Sequence, residues 1–314
     1  MARKPRIEFP GALYLVSNRG NYRREVFGTA AAAQAFETCV TEACAQSGWH
    51  LHAWSLLPDQ YFLVVGTPRG NLVAGMHWLQ GTFAARFNRQ VGEQGHLFQS
   101  RYQARLVEPG RTLANVVSWV HLAPVRTGLV TLAQLPAFRW GSLRRFLRGE
   151  ERAMGLGCGE WLGQIRGYRD TPEDWARYGE WLDCLATDVD EQAFAGFAGM
   201  ERGWAIGSDG WRQGIAQAQA GRLRQQALHG DDLAELREAV WEQAVAKLLE
   251  RAGKTDADLR RDPRGAEWKL ALAETLRRTT TATNPWLGQR LHMGKGSTVS
   301  TYLARYRATH SSAL

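Results

Sequence analysis

Residues 49–66 read WHLHAWSLLPDQYFLVVG, two apolar runs on either side of Pro58-Asp59. Their reading decides the fold. Proline presets φ for a tight turn and aspartate bonds back to its own backbone, so the pair is turn chemistry. The flanking runs, Trp49–Leu57 and Tyr61–Gly66, are short and bounded, and the economical reading is a β-hairpin.

Working outward, Leu13 and Leu15 with the flanking Tyr14 and Val16 predict a strand ending at the turn-like Asn18-Arg19-Gly20-Asn21. A helix is predicted from about 30 to 47. Its positions Phe36, Cys39, Val40, Ala43 and Cys44 step by three and four, one buried stripe, and Gly48 ends it. Beyond the hairpin, Asn71 is placed to cap a second helix with Leu72, Met76, Leu79, Phe83 and Phe87 on one side. A strand over Ala104–Glu108 and a helix from Thr112 to Leu122 complete the set. The order βαββαβ plus a helix predicts an α+β fold: a ferredoxin-like antiparallel sheet with two helices on one face.

After Gly149 the pattern becomes helices between Gly- and Asp-rich turns, an all-α region. It includes 172–186 and 232–252, where Leu236, Val240, Val245 and Leu249 keep helical spacing. The chain ends with a helix over 266–278, then Asn284–His292, a turn at Met293-Gly294-Lys295-Gly296, and Ser297–Tyr306. Two short helices around a glycine turn make a helix-turn-helix candidate. Lys295, Ser297, Thr298, Ser300, Thr301 and Arg305 suit phosphates and base edges, while Val299, Leu303 and Tyr306 suit the core. The alternative is a plain helical cap.

The 314 residues carry a net charge of +8, and the excess is arginine, because lysine occurs only at 4, 247, 254, 269 and 295. Residues 1–150 hold 17 basic and 8 acidic side chains, 151–268 hold 15 and 22, and 269–314 hold 7 and 1. Basic ends around an acidic middle make an anionic polymer the expected partner, since unmatched arginine neutralises phosphates and releases counterions. Cys39, Cys44, Cys158 and Cys184 form no CxxC pair, so they read as buried thiols in a reducing compartment. With no apolar run of about 18 residues and no signal peptide, the expectation is a cytoplasmic protein with no membrane contact.

Four separated strings carry a resemblance: ARKPRIEFPGALYLVSNRGN, HAWSLLPDQYFLVVGTPRGNL, GHLFQSRYQARLVE and WVHLAPVRTGLV. In sequence and order they resemble the REP-associated tyrosine transposases of the single-strand HUH superfamily, over about residues 2–148. The tail RRTTTATNPWLGQRLHMGKGSTVSTYLARY resembles the helix-turn-helix that some of these proteins append. The domains expected are therefore 1–148, transposase-like; 149–268, an acidic helical middle; and 269–314, the tail.

The resemblance implies binding and cleavage of a DNA hairpin with adjoining single strand. A His-hydrophobic-His pair and a helix amide would hold a divalent metal, and a tyrosine one turn before the amide would attack phosphorus. Aligned on Pro58, the histidine positions fall at Gln60 and Phe62; in the helix motif the nucleophile falls at Trp119 and the amide at Ala123. Indole does not attack phosphorus, phenyl and methyl groups bind no cation, and the Gln60 amide is a weak substitute for imidazole, able to touch Mg²⁺ only through its oxygen. Four coherent losses imply a pseudoenzyme with no catalytic residue, metal or cofactor. Phe and Trp are expected to fill the vacated space with apolar packing.

Neighbours offer little rescue. His121 points about 200° from Trp119 on a helix, Tyr61 alternates to the opposite sheet face, and Tyr102 reads as an ordinary aromatic. His50 and His52 read as partly exposed strand histidines or as a relocated metal site.

Binding is expected to survive through Arg3, Lys4 and Arg6, through Arg19, Arg23 and Arg24 around the Gly-Asn turn, and through Arg86, Arg89, Arg101 and Arg126. Trp54, Trp78 and Trp140 are candidates to stack on bases. Three functions follow: an inactive binder of hairpin or single-stranded DNA, the recognition subunit of a protein or RNA–protein complex docked through 149–268, and a nicking enzyme with a relocated nucleophile.

Overall fold

The computed structural model describes residues 7–152, 155–223 and 233–310. The expected basic arm Arg3, Lys4 and Arg6 lies outside them. Contacts divide the described residues into two units, one within Arg6–Ser208 and one within Asp209–Leu314.

The first unit runs β1 (Ala12–Arg19), α1 (Ala30–Ser47), β2 (His50–Leu57), β3 (Gln60–Thr67), α2 (Leu72–Val91), β4 (Gln103–Val107), α3 (Arg111–His121), α4 (Ala123–Arg126), α5 (Leu143–Leu147), α6 (Pro172–Thr187), α7 (Val189–Phe194) and β5 (Ala205–Ile206). The sheet order is β2-β3-β1-β4-β5; the first four strands pair antiparallel and β5 joins β4 in parallel. Alternation along β3 sorts the two faces. Tyr61 meets Phe36 of α1 at 4.8 Å, and Phe36 meets Phe83 of α2 at 4.9 Å. Phe62 points to the other face, where α3 packs.

α1 is capped as its sequence dictates: Thr29 accepts from the amide of Ala32, and Gly48 closes the helix in the left-handed region at φ 67°. Asn71 departs from expectation. It precedes α2 but makes no side-chain cap; its Oδ1 accepts from the Trp49 indole at 3.1 Å and its amide donates to the Ser47 carbonyl. That indole also fixes Gly75, where a Cβ would lie 2.1 Å from the Trp49 ring.

The segment after residue 148 is not all helical, because β5 extends the sheet. Nor does the charge boundary at 148/149 coincide with the edge of a compact unit. Phe146, Trp161, Trp175 and Tyr178 form one aromatic cluster with His121 of α3, which makes 141–208 part of the sheet domain's core. Composition reports the solvated face and not this packing. All four cysteines are free, and Cys184 is exposed, contrary to its reading as a buried thiol.

The second unit comprises α8 (Asp209–Leu223), α9 (Ala234–Ala252), α10 (Asp256–Arg261), α11 (Glu267–Thr279), α12 (Asn284–Arg290) and α13 (Gly296–His310). Leu272, Leu276, Leu287, Leu291, Val299 and Leu303 share its core. Gly288 is required there: a Cβ would lie 2.1 Å from the Gly294 carbonyl oxygen, so α12 packs against the turn backbone. Buried Lys269 is satisfied by the Leu259 and Asp262 carbonyls at 2.7 and 2.9 Å.

Candidate nucleic-acid interface

Strand register assembles the site on the α3 face. Arg19 pairs with Gln60 and Ser17 with Phe62 across β1 and β3, while Ser17 pairs with Gln103 and Leu15 with Arg105 across β1 and β4. Directly paired residues share a face, so these side chains converge. Arg19 donates to the Gln60 amide oxygen at 2.6 Å and faces Asp59 at 3.3 Å. Arg105 donates to Gln103 at 2.8 Å and to the carbonyl of Glu201. Ser17, Arg19, Gln60, Gln103 and Glu201 line a polar pocket of about 180 Å³.

Beside the pocket the surface closes. Phe62 and Trp119 are 3% and 2% exposed and meet edge to face, ring centres 5.0 Å apart and planes at 83°. Ala123, one turn after Trp119, is fully buried. Of the four positions singled out by spacing, Phe62 and Trp119 are thus in contact, Gln60 lines the neighbouring pocket and Ala123 is buried. The donor set does not fit a divalent cation, because Phe62 and Ala123 offer no lone pair and the Gln60 oxygen is engaged by Arg19. Among the described residues no cluster of three His, Cys, Asp or Glu side chains could hold one.

Over the outer face of Trp119 lies Arg126, its guanidinium carbon 3.7 Å from the ring centre. Burial against the ring lowers its pKa to about 10, with Glu201 acting in the opposite sense, so it is cationic at neutral pH.

The neighbouring titratable groups are committed elsewhere. His121 is fully buried; its Nδ1 meets the Tyr178 hydroxyl at 2.8 Å and its Nε2 the Ser142 hydroxyl at 3.0 Å, and burial pushes its pKa down to about 3. Tyr61 accepts from Gln80 at 2.9 Å on the opposite face, and Tyr102 is 6% exposed. The two strand histidines are not an exposed pair: a bulge between Leu51 and Ala53 turns His52 inward over Gly66, where burial lowers its pKa to about 4, while His50 faces Glu160 at 3.3 Å.

The expected cations divide by place. Arg23 sits exposed at φ 57° beside Tyr22, which is 93% exposed at φ 52°; Arg24 is paired with Glu93. Arg101 is exposed beyond the pocket. Arg86 and Arg89 ride on α2, across the sheet from Trp119, and Arg86 is held by Glu42 at 2.8 Å. In the other unit Lys295, Ser297, Ser300, Thr301 and Arg305 are exposed and Thr298 is half-buried. Trp54 is buried and unavailable for stacking; Trp78 and Trp140 are half-buried. Sequence reading missed Arg105, Gln103 and Glu201. The alternation of polar Gln103 and Arg105 with apolar Ala104 and Leu106 was the available signal for the first two; nothing local marks Glu201.

Among the described residues no helix is long and apolar enough to cross a membrane. No curated protein matches the chain. Among solved structures it is similar to a REP-associated tyrosine transposase bound to a REP hairpin, at 15% identity and TM-score 0.41, covering 54% of this chain and 98% of that one. It is also similar to a transposase from Deinococcus radiodurans R1, at 17% identity and TM-score 0.28, covering 48% and 99%. Residues 12–122, from β1 through the residue that closes α3, match the model of the IS200-like transposases, and over that stretch the chain carries a domain of this family.

Proposed function

We propose that this chain is a transposase-derived nucleic-acid-binding protein of the REP-associated type that has lost strand cleavage and recognises hairpin DNA with its single-stranded flank. The observation that carries the reading is the Phe62–Trp119 contact. Two apolar rings pack where the resemblance requires a metal ligand and a nucleophile, while Arg19 lines the adjoining pocket and Arg126 lies over Trp119. The strand order β2-β3-β1-β4, with α1 and α2 on one face, supports a ferredoxin-like domain. The α12–α13 pair, with Ser297, Ser300, Thr301 and Arg305 exposed, supports a helix-turn-helix making a second contact.

Fluorescence anisotropy with a DNA hairpin bearing a single-stranded flank, set against a blunt duplex of equal length and an RNA hairpin, tests this reading. Tighter binding to the flanked DNA hairpin is expected. Equal affinity for the blunt duplex would contradict hairpin recognition, and preference for the RNA would move the function to an RNA–protein complex.

A second reading, a recognition subunit docked to a protein through 149–268, is favoured by one feature. α7 is acidic yet leaves Val189 and Phe194 75% and 68% exposed. A stoichiometric partner co-purifying from the native host, and lost on Phe194→Ser, would favour it.

A further inference from the structure

Arg126 combines features that packing alone leaves unexplained. It follows α3 by one short turn, its guanidinium carbon lies over the Trp119 indole at 3.7 Å from the ring centre, and among the described residues that guanidinium donates no hydrogen bond. Several other arginines of this unit have acceptors: Arg19 on Gln60, Arg24 on Glu93, Arg86 on Glu42, Arg105 on Gln103, Arg145 on Glu37 and Arg152 on Asp170. The carboxylate acting on Arg126 is Glu201, which is itself exposed and lines the polar pocket.

A guanidinium stacked on an aromatic face is restricted in its plane and keeps its in-plane N–H groups directed away from the ring. A planar fork of that kind matches two oxygens of a phosphate, and it loses less rotamer freedom on binding than a free arginine. Trp119 can serve as the support because it does not move: Phe62 buttresses its edge from β3, and it is 2% exposed. On the same sheet face Arg19 lines the polar pocket, and Arg105 bonds to two of its lining residues, Gln103 and Glu201.

We propose that Trp119 is a shelf that pre-orients Arg126 as a clamp for one backbone phosphodiester of the bound DNA strand. The position assigned by resemblance to the attacking tyrosine thus supports the phosphate-binding side chain without touching phosphate itself. The inference rests on the nucleic-acid-binding reading and adds a named contact to it. No bond is made or broken; the clamp works by charge and by two parallel N–H···O bonds. Glu201, the carboxylate that acts on Arg126, opposes the anion and sets a limit on how deep the strand enters.

The test is a salt series of anisotropy titrations with the flanked DNA hairpin and the full chain. Arg126→Ala is expected to weaken binding about tenfold or more and to reduce the slope of log affinity against log salt by about one. Arg126→Lys, which keeps the charge and loses the fork, and Trp119→Leu, which keeps an apolar filler and loses the shelf, are expected to keep the slope while losing affinity. Glu201→Gln is expected to tighten binding. Because Arg126 is exposed, its variants report even where Trp119→Leu fails to fold. Wild-type affinity and slope in Arg126→Ala, with binding still weakened by Arg19→Ala, would overturn the clamp and leave the binding reading standing. Absence of binding by the unmutated chain would overturn both.

Discussion

At the scale of single residues, Phe62 and Trp119, on which the proposed loss of cleavage rests, are buried against each other. Phe62 fills the space between β3 and α3, and removing it opens a cavity where the ring touched Trp119. Phe62→Ala is expected to cost about 3–5 kcal/mol in denaturant unfolding, far more than a metal-ligand position on a wet surface would. His121 and His52 add a pH dependence. Burial holds their folded-state pKa values near 3 and 4, below the ordinary 6.5, so acid protonates the unfolded chain first. Each contribution is complete above about pH 6.5 and is lost as pH falls, toward 4 for His52 and 3 for His121. The melting temperature is therefore expected to drop between pH 7 and pH 5, and His121→Gln is expected to make that drop shallower. A flat melting profile in the unmutated protein would contradict the burial of both rings.

At the scale of elements, what sequence revealed was local periodicity. The predicted strands at 49–57 and 61–66 became β2 and β3 with Pro58-Asp59 between them, and the helix predicted from 30 to 47 became α1. β5 stayed hidden because two residues carry no period; it exists through pairing with β4, a contact across about a hundred residues. The pocket was hidden for the same reason, since Glu201 reaches Arg105 from 96 positions away. The Phe62–Trp119 packing was legible once the motif spacing was read, whereas the seating of Arg126 on the indole required the α3–α4 geometry. Asn71 shows a residue with cap chemistry recruited by a tertiary partner, the Trp49 indole. The α12–α13 turn gives an element-level prediction. Gly288→Ala drives a methyl group into the Gly294 carbonyl and is expected to destabilise the second unit by more than about 1 kcal/mol, read by circular dichroism. Unchanged melting would mean that the two helices are not packed as described.

At the scale of the whole molecule, charge organises the account. Basic ends flank an acidic middle, yet much of the arginine is neutralised locally, as Arg86 by Glu42 and Arg290 by Glu242 show. Net charge therefore overstates the interface, and placement decides it. Arg23→Ala with Arg24→Ala is expected to weaken DNA binding and flatten its salt dependence while leaving the melting temperature nearly unchanged, since exposed ion pairs such as Arg24–Glu93 contribute little to stability. The central claim is binding without cleavage. Its most direct measurement is incubation of the full chain with an end-labelled, flanked DNA hairpin in Mg²⁺ and in Mn²⁺, resolved on a denaturing gel beside a native binding assay. The account predicts a salt-sensitive complex on the native gel, with every labelled strand intact and free of protein after denaturation. A nicked strand or a covalent protein–DNA adduct would contradict it.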